Sequence, residues 1–131
     1  MRVVFDTNVI VAAFGTRGLC ADLLAACLDQ HEIVVSEVIL SEVAEHLADK
    51  FKLPDARVSE ILLLLRDLAS IIEPVTLPPN SCRDAEDLPI LGTAVAANAA
   101  CLVTGDNDLL VLNQFQNIPI LNPRALYDSI A

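Results

Sequence analysis

The chain has 131 residues, 54% of them hydrophobic and 20% charged, and 18 acidic against 8 basic side chains give a formal charge of −10. That length corresponds to a single domain, 1–131, able to bury about two thirds of its unfolded surface without a metal or disulfide staple. The hydrophobic content excludes a disordered acidic protein. The acidic balance excludes a broad basic face gripping nucleic-acid phosphates, though not an enzyme that meets phosphate through bound cations.

Arg2–Phe5 is a β-branched run ending at Asp6, read as a first strand. The charge at Asp6 interrupts any apolar signal-peptide core, so a soluble, cytoplasmic chain without a membrane segment is expected. Gly15 and Gly18 break the chain, and Leu19–Leu28 is apolar at helical spacing. Cys20 and Cys27 share that helix face with Leu23 and Leu24 as small core residues. None of Cys20, Cys27, Cys82 and Cys101 has the spacing of a zinc site, and reduced thiols are expected.

Ile33–Val35 is a second strand, after which Ser36 N-caps a helix from Glu37 to about Leu47. Val38, Ile39, Val43 and Leu47 should face the core, which puts Glu42 at the margin of the buried face and leaves Glu37 and Glu45 in solvent. Pro54 and Asp55 open a further helix with a wide apolar face of Ile61, Leu62, Leu64, Leu65 and Leu68. Ile71–Val75 reads as a strand, at a sheet edge because of Pro74. Leu77–Ser81 is a loop.

Asp87 is expected to cap a helix over Leu88–Asn98, whose first turn tolerates Pro89. The uncharged stretch Leu88–Gly105 approaches the length of a membrane span, yet its Pro, Gly, Thr, Asn and Ala content predicts that helix followed by a buried strand, Cys101–Thr104. Ile118–Leu121 is a last strand, and Asn122–Pro123 start a terminal helix. Alternating short strands and helices predict an α/β fold with a parallel sheet covered on both faces. Ligands of such sheets bind beyond the carboxyl ends of the strands, where Asp6 and Asp106 fall.

Each acid has an ordinary structural role to weigh against a functional one. Asp6 can merely end a strand, Glu42 can be a solvated helix residue, and Asp87, Asp84 and Asp108 can be caps or turn residues. Their joint order carries the chemical argument. If Asp6, Glu42, Asp87 and Asp106 converge, their charges raise one another's pKa unless a cation intervenes. All-oxygen ligands suit Mg²⁺ or Mn²⁺ and not zinc. Such a cation can activate water and steady a leaving oxygen at phosphorus, which points to phosphodiester hydrolysis.

Phe5-Asp6-Thr7-Asn8-Val9, Ser41-Glu42-Val43, Asp87-Leu88-Pro89-Ile90-Leu91 and Val103-Thr104-Gly105-Asp106-Asn107-Asp108-Leu109-Leu110 together resemble the PIN-domain ribonucleases. The resemblance runs from Arg2 to about Pro123 and is strongest to the toxin components of prokaryotic toxin–antitoxin pairs. It implies an α/β/α sandwich around a parallel sheet and an acidic cluster holding one or two Mg²⁺ or Mn²⁺ ions that cleaves RNA. By motif, Asp6, Glu42, Asp87 and Asp106 would be the catalytic, metal-binding acids, with Asp108 an auxiliary acid beside the metal. Thr7, Asn8 and Thr104 would orient carboxylates or water. Asp84 and Asp87 both precede the helix, and the offset to Ile90-Leu91 favours Asp87 as the ligand, leaving Asp84 an outer position.

Arg17 and Arg83, in loops near the expected cleft, are the candidate phosphate contacts, whereas Lys50, Lys52 and Arg57 read as a solvated helix junction. The resemblance further implies a homodimer or higher homo-oligomer and a small antitoxin whose segment enters the cleft. The Val58–Leu68 helix is a candidate contact surface, although a core helix explains the same residues. The excess negative charge would suit a basic inhibitory peptide. Two other readings compete. A haloacid-dehalogenase-like phosphatase would need an acid where Asn8 stands and a late lysine, but Lys50 and Lys52 are the only lysines. A non-catalytic PIN-like binding module would share every motif and differ only in activity.

Overall fold

A computed structural model describes residues 1–130 and shows a six-stranded sheet flanked by helices. In chain order the elements are β1 (Arg2–Phe5), α1 (Thr7–Gly15), α2 (Leu19–Gln30), β2 (Glu32–Val35), α3 (Glu37–Phe51), α4 (Asp55–Leu68) and β3 (Ser70–Ile71). They continue with α5 (Leu88–Ala97), β4 (Cys101–Val103), α6 (Asn107–Leu110), β5 (Gln114–Phe115), β6 (Ile118–Leu121) and α7 (Pro123–Ile130). The spatial order is β3-β2-β1-β4-β6-β5. All neighbours are parallel except β5, which pairs antiparallel with β6, so the sheet is mixed at one edge.

The central strands form because Val3, Val4, Phe5, Ile33, Val34, Val35, Leu102 and Val103 are apolar without alternation, and all are buried. Both faces of a parallel sheet are covered, so nothing in these strands needs to reach water. Val4 pairs with Val34 on one side and with Leu102 on the other. From β1 the chain winds outward through β2 to β3, and α5 then carries it back to β4 on the other side of β1. The gap between β1 and β4 is therefore the topological switch point, where loops leave in opposite directions and open a crevice.

Several expectations need correction. No element was expected between Asp6 and Gly15, yet α1 occupies Thr7–Gly15. Its apolar residues surround the axis because Val9, Ile10, Val11 and Ala13 are all buried, so it lacks the one-sided stripe that marks a surface helix. The strand expected at Ile71–Val75 is only Ser70–Ile71. The Ile72 amide still donates to the Val35 carbonyl, but Pro74 has no amide to continue the ladder, and Val75 turns instead to the Gly92 carbonyl of α5. The edge position itself is as expected.

Val38 is exposed rather than buried, and Leu40 takes its place in the core of α3. On α4 only Val58, Ile61 and Leu65 are buried, while Leu63 (68% exposed), Leu64 and Leu68 face outward. That helix thus has an apolar side beyond the one its core needs. Ser36 caps α3 as expected, its Oγ accepting from the Ile39 amide at 3.4 Å. The β5–β6 hairpin turns through Gln116 and Asn117, both at positive φ, the handedness that matches strand twist in a tight turn. Among the described residues no single helix is long and apolar enough to cross a membrane.

Candidate active site

Asp6 sits where β1 ends and α1 begins. Its amide donates to the Val103 carbonyl at 2.8 Å, and its own carbonyl accepts from the Val9 and Ile10 amides at 3.0 and 3.3 Å. The backbone alone thus starts the helix, and the carboxylate makes no capping bond. It is held instead by the residue that follows β4: Thr104 Oγ1 donates to Asp6 Oδ2 at 2.6 Å. The same hydroxyl oxygen accepts from the Asp106 amide at 3.0 Å. One side chain thereby fixes the acids at the ends of two adjacent strands.

Glu42 comes from α3, half-buried as its place in the helix predicts. Thr7 Oγ1 donates to Glu42 Oε2 at 2.9 Å across the α1–α3 contact. Asp87 ends a short 3-10 turn, Ala85–Asp87, directly ahead of α5. The capping role expected for Asp87 is not observed, since its side chain makes no cap hydrogen bond. Asp84 instead caps the 3-10 turn ahead of that helix, with Oδ1 accepting from the Glu86 amide at 3.0 Å. Asp87 is left 7% exposed, with Oδ2 buried and without a partner.

These acids line one open cavity of about 540 Å³. Asp6, Glu42, Asp84, Asp87 and Asp106 are all in its wall, with Thr7 and Asn8, and the wall also contains Glu45, His46 and Glu86. Thr104, fully buried, stands behind it. Glu45 and His46 were missed although they lie three and four residues after Glu42, the spacing that puts them on the same helix face. Glu86 was missed because a 3-10 turn between two aspartates has no periodic signature.

Asp108 and the arginines are placed differently. The Asp108 amide donates to Asp106 Oδ1 at 2.9 Å, but the Asp108 carboxylate faces Arg83, 3.7 Å from Nη1, and does not line the cavity. Arg83 is thus engaged at the margin. Arg17 follows the far end of α1, whose nine residues span about 13 Å at 1.5 Å per residue. It is exposed and outside the cavity wall.

Crowding of like charges sets the electrostatics. Burial raises the Asp6 pKa, hydrogen bonds from the Thr104 hydroxyl and the Thr7 amide oppose that rise, and the Asp106 and Glu42 charges add to it. Asp87 is pushed up to about 7, first by burial and then by the charges of Asp106, Asp6 and Asp84. The carboxylates of the wall fit a hard divalent cation: oxygen donors with negative charge in excess, one of them a buried oxygen with no hydrogen-bond partner. Among the described residues no three His, Cys, Asp or Glu side chains already stand in a closed metal-binding arrangement. Asp6 Oδ2 and Asp106 Oδ1 are engaged with the Thr104 hydroxyl and the Asp108 amide, so the carboxylates would have to draw together around an ion.

A PIN-domain family profile matches residues 2–108. The chain belongs to the PIN-domain family. PIN domains are in general nucleases and typically use divalent metal ions. Among solved structures, the fold is similar to VapBC2 from Rickettsia felis bound to a DNA fragment from their promoter, with TM-score 0.66 and 19% identity over 93% of this chain and 98% of that one. It is also similar to FitAcB from Neisseria gonorrhoeae, with TM-score 0.58 and 16% identity over 93% and 98% of the two chains. No curated protein sequence matches the chain.

Proposed function

We propose that this PIN domain is a Mg²⁺- or Mn²⁺-dependent ribonuclease and the toxin of a toxin–antitoxin pair. The observation that carries the nuclease reading is the buried, unpartnered Asp87 oxygen within a cavity that also gathers Asp6, Glu42 and Asp106. A fold does not keep such repulsion for stability alone; a cation would turn it into binding energy. Asp6, Glu42, Asp87 and Asp106 would hold the ion. When bound there, it would supply the charge neutralisation and water activation that phosphodiester hydrolysis needs. Thr104 and Thr7 act through the carboxylates they hold, and Asp84 shapes the turn that delivers Asp87.

The placement of Asp108 beside Arg83 supports a role at the rim, where Arg83 meets a phosphate outside the cavity. Arg17, a helix length away, contacts only more distant nucleotides in this reading. The toxin assignment is supported by fold neighbours from toxin–antitoxin complexes. The second apolar side of α4, with Leu63, Leu64 and Leu68 exposed, supports a protein partner or a second copy.

Cleavage of a mixed-sequence RNA in Mn²⁺ by the wild type and by Asp6→Asn tests the nuclease. Cleavage by the first and not the second supports it. Equal cleavage by both would identify a contaminating nuclease and remove the enzymatic claim, leaving a non-catalytic binding module.

A further inference from the structure

The cavity poses a problem for its own substrate. Seven of the twelve residues in its wall carry carboxyl groups, and none is Lys or Arg. A nucleic-acid phosphate entering there meets very few side-chain donors. Thr7 already spends its hydroxyl proton on Glu42. Asn8 and His46 remain, and His46 sits one helical turn beyond Glu42 on α3.

The imidazole is not used by the fold. His46 Nδ1 is buried without a hydrogen-bond partner. Among the described residues no group bonds Nε2 either, and Nε2 is not buried as Nδ1 is, so it is the ring nitrogen left accessible on a residue that lines the cavity. A histidine with a structural role normally satisfies at least one ring nitrogen within the protein. A wall position, a walled-off Nδ1 and a free Nε2 together describe a side chain that presents one N–H to whatever occupies the cavity.

The geometry points to His46 as a substrate-positioning residue, whose Nε2–H donates to a non-bridging phosphate oxygen of single-stranded RNA adjoining the acid cluster. This assignment rests on the ribonuclease reading. It adds a donor from α3 to the acids that α3 already contributes, so one helix would register the ion and the phosphodiester backbone together.

The test compares wild type with His46→Ala, His46→Gln and His46→Asn. Glutamine places an amide N–H near the position of Nε2, whereas asparagine places it near Nδ1. A labelled single-stranded RNA is titrated in Ca²⁺ and read by anisotropy, its integrity checked on a gel, and kcat and KM are measured in Mn²⁺. His46→Ala should bind about five- to tenfold more weakly, the loss of one hydrogen bond, with KM raised to match and kcat nearly unchanged. His46→Gln should recover most of the loss and His46→Asn little. The Mn²⁺-induced rise in melting midpoint should be the same in all four proteins. Unaltered RNA affinity in His46→Ala, or no difference between His46→Gln and His46→Asn, overturns the assignment while leaving the nuclease intact. A fall in kcat at constant KM, or loss of the Mn²⁺ shift, overturns it in favour of a chemical or metal-binding role. A wild type that neither binds nor cleaves RNA defeats the ribonuclease reading, and this one with it.

Discussion

Thr104 Oγ1 donates to Asp6 Oδ2 at 2.6 Å while accepting from the Asp106 amide at 3.0 Å, so one hydroxyl couples the acids at the carboxyl ends of β1 and β4. Thr104→Val keeps the shape and removes both bonds. Because a buried carboxylate loses a hydrogen bond, stability measured by urea unfolding at pH 8 should fall by about 1.5–3 kcal/mol. The Asp6 pKa, followed by NMR, should move further up, since the Thr104 bond now opposes the effect of burial. Unchanged stability and titration would show that the coupling is geometric only.

Asp87→Asn removes a charge and keeps the shape. Asparagine caps a helix as well as aspartate does, and Asp87 makes no capping bond, so the substitution acts only on the repulsion from Asp106, Asp6 and Asp84. The variant should therefore be more stable than wild type in EDTA at pH 8, and its melting midpoint should respond far less to Mn²⁺. A loss of stability in EDTA would contradict the repulsion assigned to Asp87.

The pH dependence has a definite sign. The Asp87 pKa is raised from 3.8 to about 7, so between those values the folded protein holds a proton that the unfolded chain has lost. Stability in EDTA then declines as pH rises from about 4 to about 7, by up to a few kcal/mol, and levels off above the folded pKa. A divalent cation favours the charged form, so the Mn²⁺-induced rise in midpoint should be larger at pH 8 than at pH 5. A midpoint in EDTA that climbs steadily with pH over this range would contradict the crowding of charge at Asp87.

Gly92→Ala probes how the site's helix is seated. A Cβ at Gly92 would overlap the carbonyl oxygen of Val75, a backbone atom that cannot swing aside. The expected loss is about 1–3 kcal/mol from overpacking. Because α5 begins immediately after Asp87, the Mn²⁺ response should weaken too. An intact Mn²⁺ response in a destabilised protein would show that Asp87 is positioned by its 3-10 turn alone.

The sequence was most readable where burial is uniform or periodic. Val3–Phe5, Ile33–Val35 and Cys101–Val103 could be placed because a parallel strand covered on both faces needs unbroken apolar runs. Helix α1 escaped notice for the related reason that burial on all sides leaves no amphipathic stripe, and β3 was overestimated because Pro74 stops the ladder without altering the apolar run. Asp6 and Asp106 followed from topology, strand ends at the switch point. Glu42 and Asp87 depended on the family resemblance, since a helix-margin glutamate and a helix-leading aspartate look the same whether or not they share a cavity. His46 was open to the same reading by its helical spacing from Glu42, whereas the unpartnered state of Asp87 Oδ2 depends on three-dimensional packing that no local pattern encodes.

Calorimetric titration of Mn²⁺ into the wild type and into Asp6→Asn, Glu42→Gln, Asp87→Asn and Asp106→Asn tests most directly whether these acids act as one cation site. The account predicts saturable binding of one or two ions by the wild type, strongly weakened in each of the four variants while their circular dichroism stays native. Equal binding by the wild type and all four folded variants, or none by any of them, would contradict it.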